Sequence, residues 1–234
     1  MFVGDGVLAP ERSESAGAGK PAEAARLLVL CSIIFGSARL AFWLSGRLGL
    51  ATSSGLVFEG AWFAPSWARF PWFDCAGMLA FMCALPVLWE RAHGIGLRAI
   101  GIGLDRKAAL CTFLGLLCAA AVWSLRQAAV LPPRGSSYVG SLLVLGVYWL
   151  VVAAAEETAF RGILQRHLMR FGGLRVALPT ATAAFVLWHG LPDSGLVLAV
   201  RAGGGLLLGL LYYGGKSLLP PVICHLALNV ALVA

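Results

Sequence analysis

Apolar residues occupy this chain in long blocks rather than at every second position. Seven blocks run approximately over 27–46, 73–90, 108–130, 138–160, 174–191, 195–213 and 218–234. Each approaches the ~20 residues that a helix needs to span a bilayer. Apolar runs of that length, with no alternation of period two, predict membrane helices and no strands. The links are short and rich in turn formers, among them "LPPRGSS" (131–137), "GLPDSG" (190–195) and "YGGKSLLPP" (213–221). The expected fold is therefore all-α, a polytopic transmembrane helical bundle of about seven spanning segments. A polar N-terminal tail, 1–25, precedes a single transmembrane domain over 26–234.

Composition sharpens this picture. The 234 residues are 59% hydrophobic and only 12% charged, about half the charged share of a soluble domain. A net charge of +7 is then a matter of topology, and no nucleic-acid partner is expected. Most of the 18 Lys and Arg fall on alternate links. Arg12, Lys20 and Arg26 precede the first block; Arg91, Arg98, Arg106 and Lys107 follow the second. Arg161, Arg166, Arg170 and Arg175 lie about the fourth link, and Lys216 is in the sixth. The opposite links hold Arg47, Arg69 and Arg134, while Arg39, Arg126 and Arg201 fall inside apolar blocks. The positive-inside rule puts the N-terminus in the cytoplasm of a multi-pass cell-membrane protein, with a bacterial inner membrane as the expected home.

Other features add less. The first block has spanning length and is expected to stay as a signal anchor. Residues 46–71 carry Trp, Phe, Pro and Gly, as an interfacial loop does. Residues 91–107 are expected to form an amphipathic surface segment, and their GxG pairs follow no strand, so no dinucleotide site is expected. Cys31, Cys75, Cys83, Cys111, Cys118 and Cys224 show no CxxC spacing and are read as small buried hydrophobes.

Three patterns place polar groups in apolar surroundings: "EETAFR" (156–161), "FVLWH" (185–189) and "HLALN" (225–229). Helical residues four apart share a face, so Glu157 and Arg161 pair, and His225 and Asn229 project together. Glu156 sits about 100° around the helix and has no partner at this spacing. An unpaired membrane carboxylate marks a functional site by default. Gly172-Gly173 reads as a tight turn. Glu156 lies about 16 residues before it and His189 about 16 after, so in an antiparallel hairpin both reach the same height, roughly 25 Å from the turn. The tip, with Arg166, Arg170 and Arg175, is expected to protrude from the membrane. His225 enters one turn after Pro220-Pro221, roughly 10 Å in from the same side. Glu156, His189 and His225 are thus expected to line one cavity, with Phe185 shaping it, while His93 and His167, in basic links, are expected to be solvated. There is no HExxH, no Gly-x-Ser-Gly and no aspartate pair within the spans.

At these residues the sequence resembles the CPBP family of intramembrane proteases, also called the CAAX-protease and bacteriocin-processing or ABI family. Its marks are EExxxR, FxxxH and HxxxN or HxxxD on successive transmembrane helices. The resemblance covers residues 140–234 and implies an intramembrane endopeptidase of glutamic type. Its substrates would be membrane-embedded or lipid-anchored proteins, processed at CAAX termini or C-terminal sorting signals. By the same resemblance Glu156 is the general base, His189 positions the water, and His225 and Asn229 stabilise the oxyanion, with Glu157, Arg161 and Phe185 in support. No cofactor is expected. Glu156, His189 and His225 do form a His₂Glu zinc inventory, but a guanidinium at Arg161 repels a divalent ion, and Asn229 suits oxyanion donation better than coordination. A non-catalytic binding or immunity protein of the same family, and a proton-coupled transporter using the same Glu/His cluster, are the alternatives.

Overall fold

The computed structural model describes residues 19–47, 72–129, 138–190 and 194–233, and these are helical with short links. In chain order, α1 is Gly19–Arg47, α2 Trp72–Ala92, α3 the short Leu97–Ile100 and α4 Arg106–Ala129. Helix α5 covers 138–171 and α6 174–188, while α7 is Gly195–Gly215 and α8 Leu219–Val233. Five stretches are long and apolar enough to cross a membrane, with Leu219–Ala231 a shorter apolar helix. One of the five, Gly146–Trp188, has 43 residues and is two helices. Gly172 (φ −143°, ψ 16°) and Gly173 (φ 62°, ψ −165°) leave helical geometry, and beyond them the chain doubles back. The rings of Phe160 and Phe185 pack 5.4 Å apart, which a straight helix would forbid. Described apolar helices therefore correspond to all seven apolar blocks, as the pattern predicted.

Helix α1 starts at Gly19, inside the stretch read as a polar tail, because "GKPAEAAR" has Pro in its first turn and helix-forming Ala and Glu after it. Residues 1–18, most of the aromatic link 46–71, the link 131–137 and residues 191–193 lie outside the described residues. In the segment 91–107, Arg91 and Arg98 are exposed while Ile100 is buried, the amphipathic arrangement expected.

Two π-helical turns interrupt α-helical geometry, Leu79–Ala84 in α2 and Thr158–Gln165 in α5. They face each other, with Cys83 Sγ 3.7 Å from Thr158 Oγ1. The second begins immediately after Glu157 and is buried throughout; such turns recur at functional sites.

Helix α7 runs parallel to α5 and is held by two side chains in register. Arg161 donates to the Gly205 carbonyl at 3.1 Å and Gln165 to that of Gly209 at 2.9 Å. Small residues allow that approach, as they do between membrane helices generally. A Cβ on Gly209 would meet Leu178 Cδ1 at 2.5 Å and Gln165 Oε1 at 2.9 Å. The α7–α8 link is pinned to the α3 end. Ser217 Oγ donates to the Gly103 carbonyl at 2.6 Å, and the Leu218 amide to that of Gly101 at 2.9 Å. This anchorage sets the height at which α8 carries His225.

Candidate active site

The hairpin brings the first two motifs side by side, as their equal spacing about Gly172-Gly173 implies. Glu156 is buried on α5, and its Oε1 lies 3.6 Å from Nε2 of His189. From α8, Nε2 of His225 lies 3.9 Å from Oε2 of the same carboxylate. That oxygen accepts no hydrogen bond among the described residues. One carboxylate therefore faces two imidazoles.

Glu157, one position on, points elsewhere. Its Oε1 accepts from Arg161 NH1 at 3.0 Å and from His225 Nδ1 at 2.8 Å. The expected pair with Arg161 is present, and His225 joins it as a third member. Arg161 is buried, with its guanidinium carbon 4.7 Å over the Phe185 ring. Phe185 also packs on both histidines, 4.6 Å from His189 and 5.8 Å from His225. Asn229 sits one turn beyond His225 and is half-buried, and no hydrogen bond from its side chain is found among the described residues.

Ring orientation carries chemical information. His189 Nδ1 lies 2.9 Å from the Phe185 carbonyl, and His225 Nδ1 lies on the Glu157 carboxylate. Carbonyls and carboxylates only accept, so each ring holds a proton on Nδ1 and turns Nε2 toward Glu156. With Nδ1 so committed, Nε2 of each ring is an acceptor in the neutral form and a donor in the imidazolium form.

Three neighbours of the site escaped the sequence reading. Trp188 donates its indole N–H to Glu156 Oε1 at 3.2 Å. Arg39 of α1 donates to the Trp188 carbonyl, and Arg201 of α7 to the carbonyls of His189 and Gly190, at 3.3 and 2.8 Å. The apolar blocks holding both arginines were the available signal, since an intramembrane charge needs a reason. His167 requires a correction. It was expected in solvent, but it is buried, with Nε2 2.9 Å from Oε1 of Glu90. Arg166 binds the other oxygen of that glutamate. A buried Glu90 has to be paired, and α5 supplies both partners. His93 is exposed as expected.

Among the described residues, no group of three His, Cys, Asp or Glu side chains is arranged as a metal ion would require.

Glu156, Glu157 and His225 are buried and His189 is exposed; this Glu–His cluster among apolar helices defines the class, an all-α multi-pass membrane protein with a polar site between its helices. Within that class, residues 138–231 match the family model of the Rce1-like type II CAAX prenyl endopeptidases. The match takes in α5 to α8 and all three motifs, and it agrees with the CAAX-protease resemblance that they carry. No curated protein and no solved structure matches the chain.

Proposed function

We propose that the chain is an intramembrane endopeptidase that hydrolyses membrane-anchored protein substrates, at CAAX-type termini or C-terminal sorting signals, with water activated by Glu156. The observation that carries this reading is the buried Glu156 carboxylate set against two imidazole Nε2 atoms within 4 Å. A water between Glu156 and His189 gives one proton to the carboxylate and turns its other toward the His189 lone pair. Its oxygen attacks the scissile carbonyl carbon, and the C=O electrons move onto the oxygen. Asn229 supplies an amide donor to that oxyanion. His225, with Nδ1 committed to Glu157, donates from Nε2 only as the imidazolium. Collapse breaks the C–N bond, and the proton held by Glu156 passes to the leaving amine, which restores the base. No metal enters this cycle.

The test is cleavage in proteoliposomes of a farnesylated CAAX peptide and of membrane proteins bearing C-terminal sorting segments. General-base catalysis contributes about 10²–10⁴-fold, and Glu156→Gln is expected to lose at least that much while expressing normally. Equal rates for wild type and variant would remove Glu156 from the mechanism. Absence of any cleavage by wild type would favour the non-catalytic alternative. The same preparations decide the metal question, because imidazoles anchored through Nδ1 also suit metal ligation. Chelated protein of measured zinc content is expected to retain its rate, and activity that returned only with added zinc would overturn the water–glutamate reading.

A further inference from the structure

Trp188 is the residue before His189 at the end of α6; contacts from α5 and α1 meet at it, and α7 reaches the two residues that follow. Its indole N–H reaches Glu156 on α5 at 3.2 Å. On α1, the guanidinium carbon of Arg39 lies 4.5 Å over the indole, and the Phe35 ring packs 5.7 Å away. Arg39 also binds the Trp188 carbonyl. Arg201 on α7 takes the next two carbonyls, and Gly190 turns the chain with φ +79°. Two intramembrane arginines from different helices thus close the carbonyl end of the helix that presents Trp188 and His189.

Helix-end capping accounts for the carbonyl contacts, since cations are favourable at the negative end of a helix. It does not account for the cation stacked on the indole, nor for the indole donor aimed at the buried carboxylate. We infer that Trp188 orients Glu156, and that Arg39 and Arg201 are positioning residues that hold the indole and the helix end in place. The inference rests on Glu156 being the base. An N–H fixed on Oε1 restrains rotation of the carboxylate and so fixes where its remaining lone pairs point. Without it the carboxylate samples other rotamers, and the bound substrate meets a misaligned base for part of the time. Such misplacement lowers the chemical step and leaves substrate binding alone.

Steady-state cleavage of the farnesylated CAAX peptide in proteoliposomes tests this with wild type, Trp188→Phe, Arg39→Lys, Arg39→Gln and Glu156→Gln. Phe keeps an aromatic face for Arg39 and Phe35 and loses only the donor. Trp188→Phe is expected to lower kcat about 10- to 100-fold with KM within about twofold. Arg39→Gln is expected to lower kcat as well, and Arg39→Lys, which keeps the stacked cation, to recover part of it. A wild-type kcat for Trp188→Phe, or a loss confined to KM, overturns the inference even when Glu156→Gln is inactive. An active Glu156→Gln removes the base reading itself, and this inference with it. A second measurement needs no turnover. In ¹⁵N-tryptophan-labelled protein in nanodiscs, the indole resonance that disappears in Trp188→Phe should shift markedly in Glu156→Gln and much less in Glu157→Gln. A Trp188 indole signal indifferent to Glu156→Gln also overturns the inference.

Discussion

Adjacent glutamates in one helix have acquired opposite surroundings. Glu157 is fully buried and holds two donors, Arg161 at 3.0 Å and His225 at 2.8 Å. Glu156 takes one neutral donor, the Trp188 indole at 3.2 Å, and in both glutamates Oε2 has no hydrogen bond among the described residues. Their amide variants should therefore fail in different ways. Glu157→Gln leaves the Arg161 guanidinium buried without an anion, and breaking a buried pair costs about 3–5 kcal/mol. Scanning fluorimetry in detergent should show a clear fall in Tm for Glu157→Gln, with His225 loosened and activity reduced. Glu156→Gln should keep its Tm within a degree or two and lose turnover. Equal stability of the two variants would mean that Arg161 draws its compensation elsewhere. The Glu157–Arg161 pair was legible because it is local, one helical turn apart. Trp188, Arg39, Arg201 and the Glu90–His167 contact were not. Each joins segments far apart in the chain, and nothing in the neighbouring residues announces the partner. His167 shows the hazard, for its basic neighbours Arg166 and Arg170 suggested solvent, whereas a glutamate 77 positions earlier buries it.

Glycines decide how the helices meet. The turn at Gly172-Gly173 was visible in the sequence because two consecutive glycines in a helical run stop the helix, and equal spacing on either side then aligned Glu156 with His189. Gly173 sits at a φ of 62° with ψ near −165°, a region open essentially to glycine alone. The α5–α7 contact was invisible, because "RAGGGLLLG" offers several glycines and the spacing does not say which faces a partner. The structure separates them. A Cβ on Gly209 strikes Leu178 and Gln165, while one on Gly203 meets nothing within 4 Å. Gly209→Ala must displace the ends of the Leu178 and Gln165 side chains, and should lower Tm by weakening the Gln165 bond to the Gly209 carbonyl. Gly203→Ala should be neutral or stabilise by up to about 1 kcal/mol, since alanine is the better helix former. Identical Tm values for the two variants would show that α7 moves freely enough to absorb the methyl. The π-helical turn after Glu157 was likewise beyond the sequence, because an α-helical reading of "EETAFR" pairs Glu157 with Arg161 just as well.

At the scale of the whole molecule, the polar contacts divide by depth. Near the Gly172 tip, Glu23, Glu90, Arg166, His167 and Arg170 join α1, α2 and α5. At the other end of α6, Arg39 and Arg201 close the helix that carries His189, and the Glu156 cluster lies between these layers. A hairpin with exposed Arg170 and Arg175 at its tip, in a chain whose basic residues crowd alternate links, fits a tip in the cytoplasm. Single cysteines at Ser13, Arg170 and Ser194, introduced into a cysteine-free background, test this sidedness with an impermeant maleimide on intact cells. Ser194, in the link between α6 and α7, should label from outside. Ser13→Cys and Arg170→Cys should label only after the membrane is opened. Labelling of either from outside would invert the topology and place the arginine-rich tip on the far side, against the charge bias.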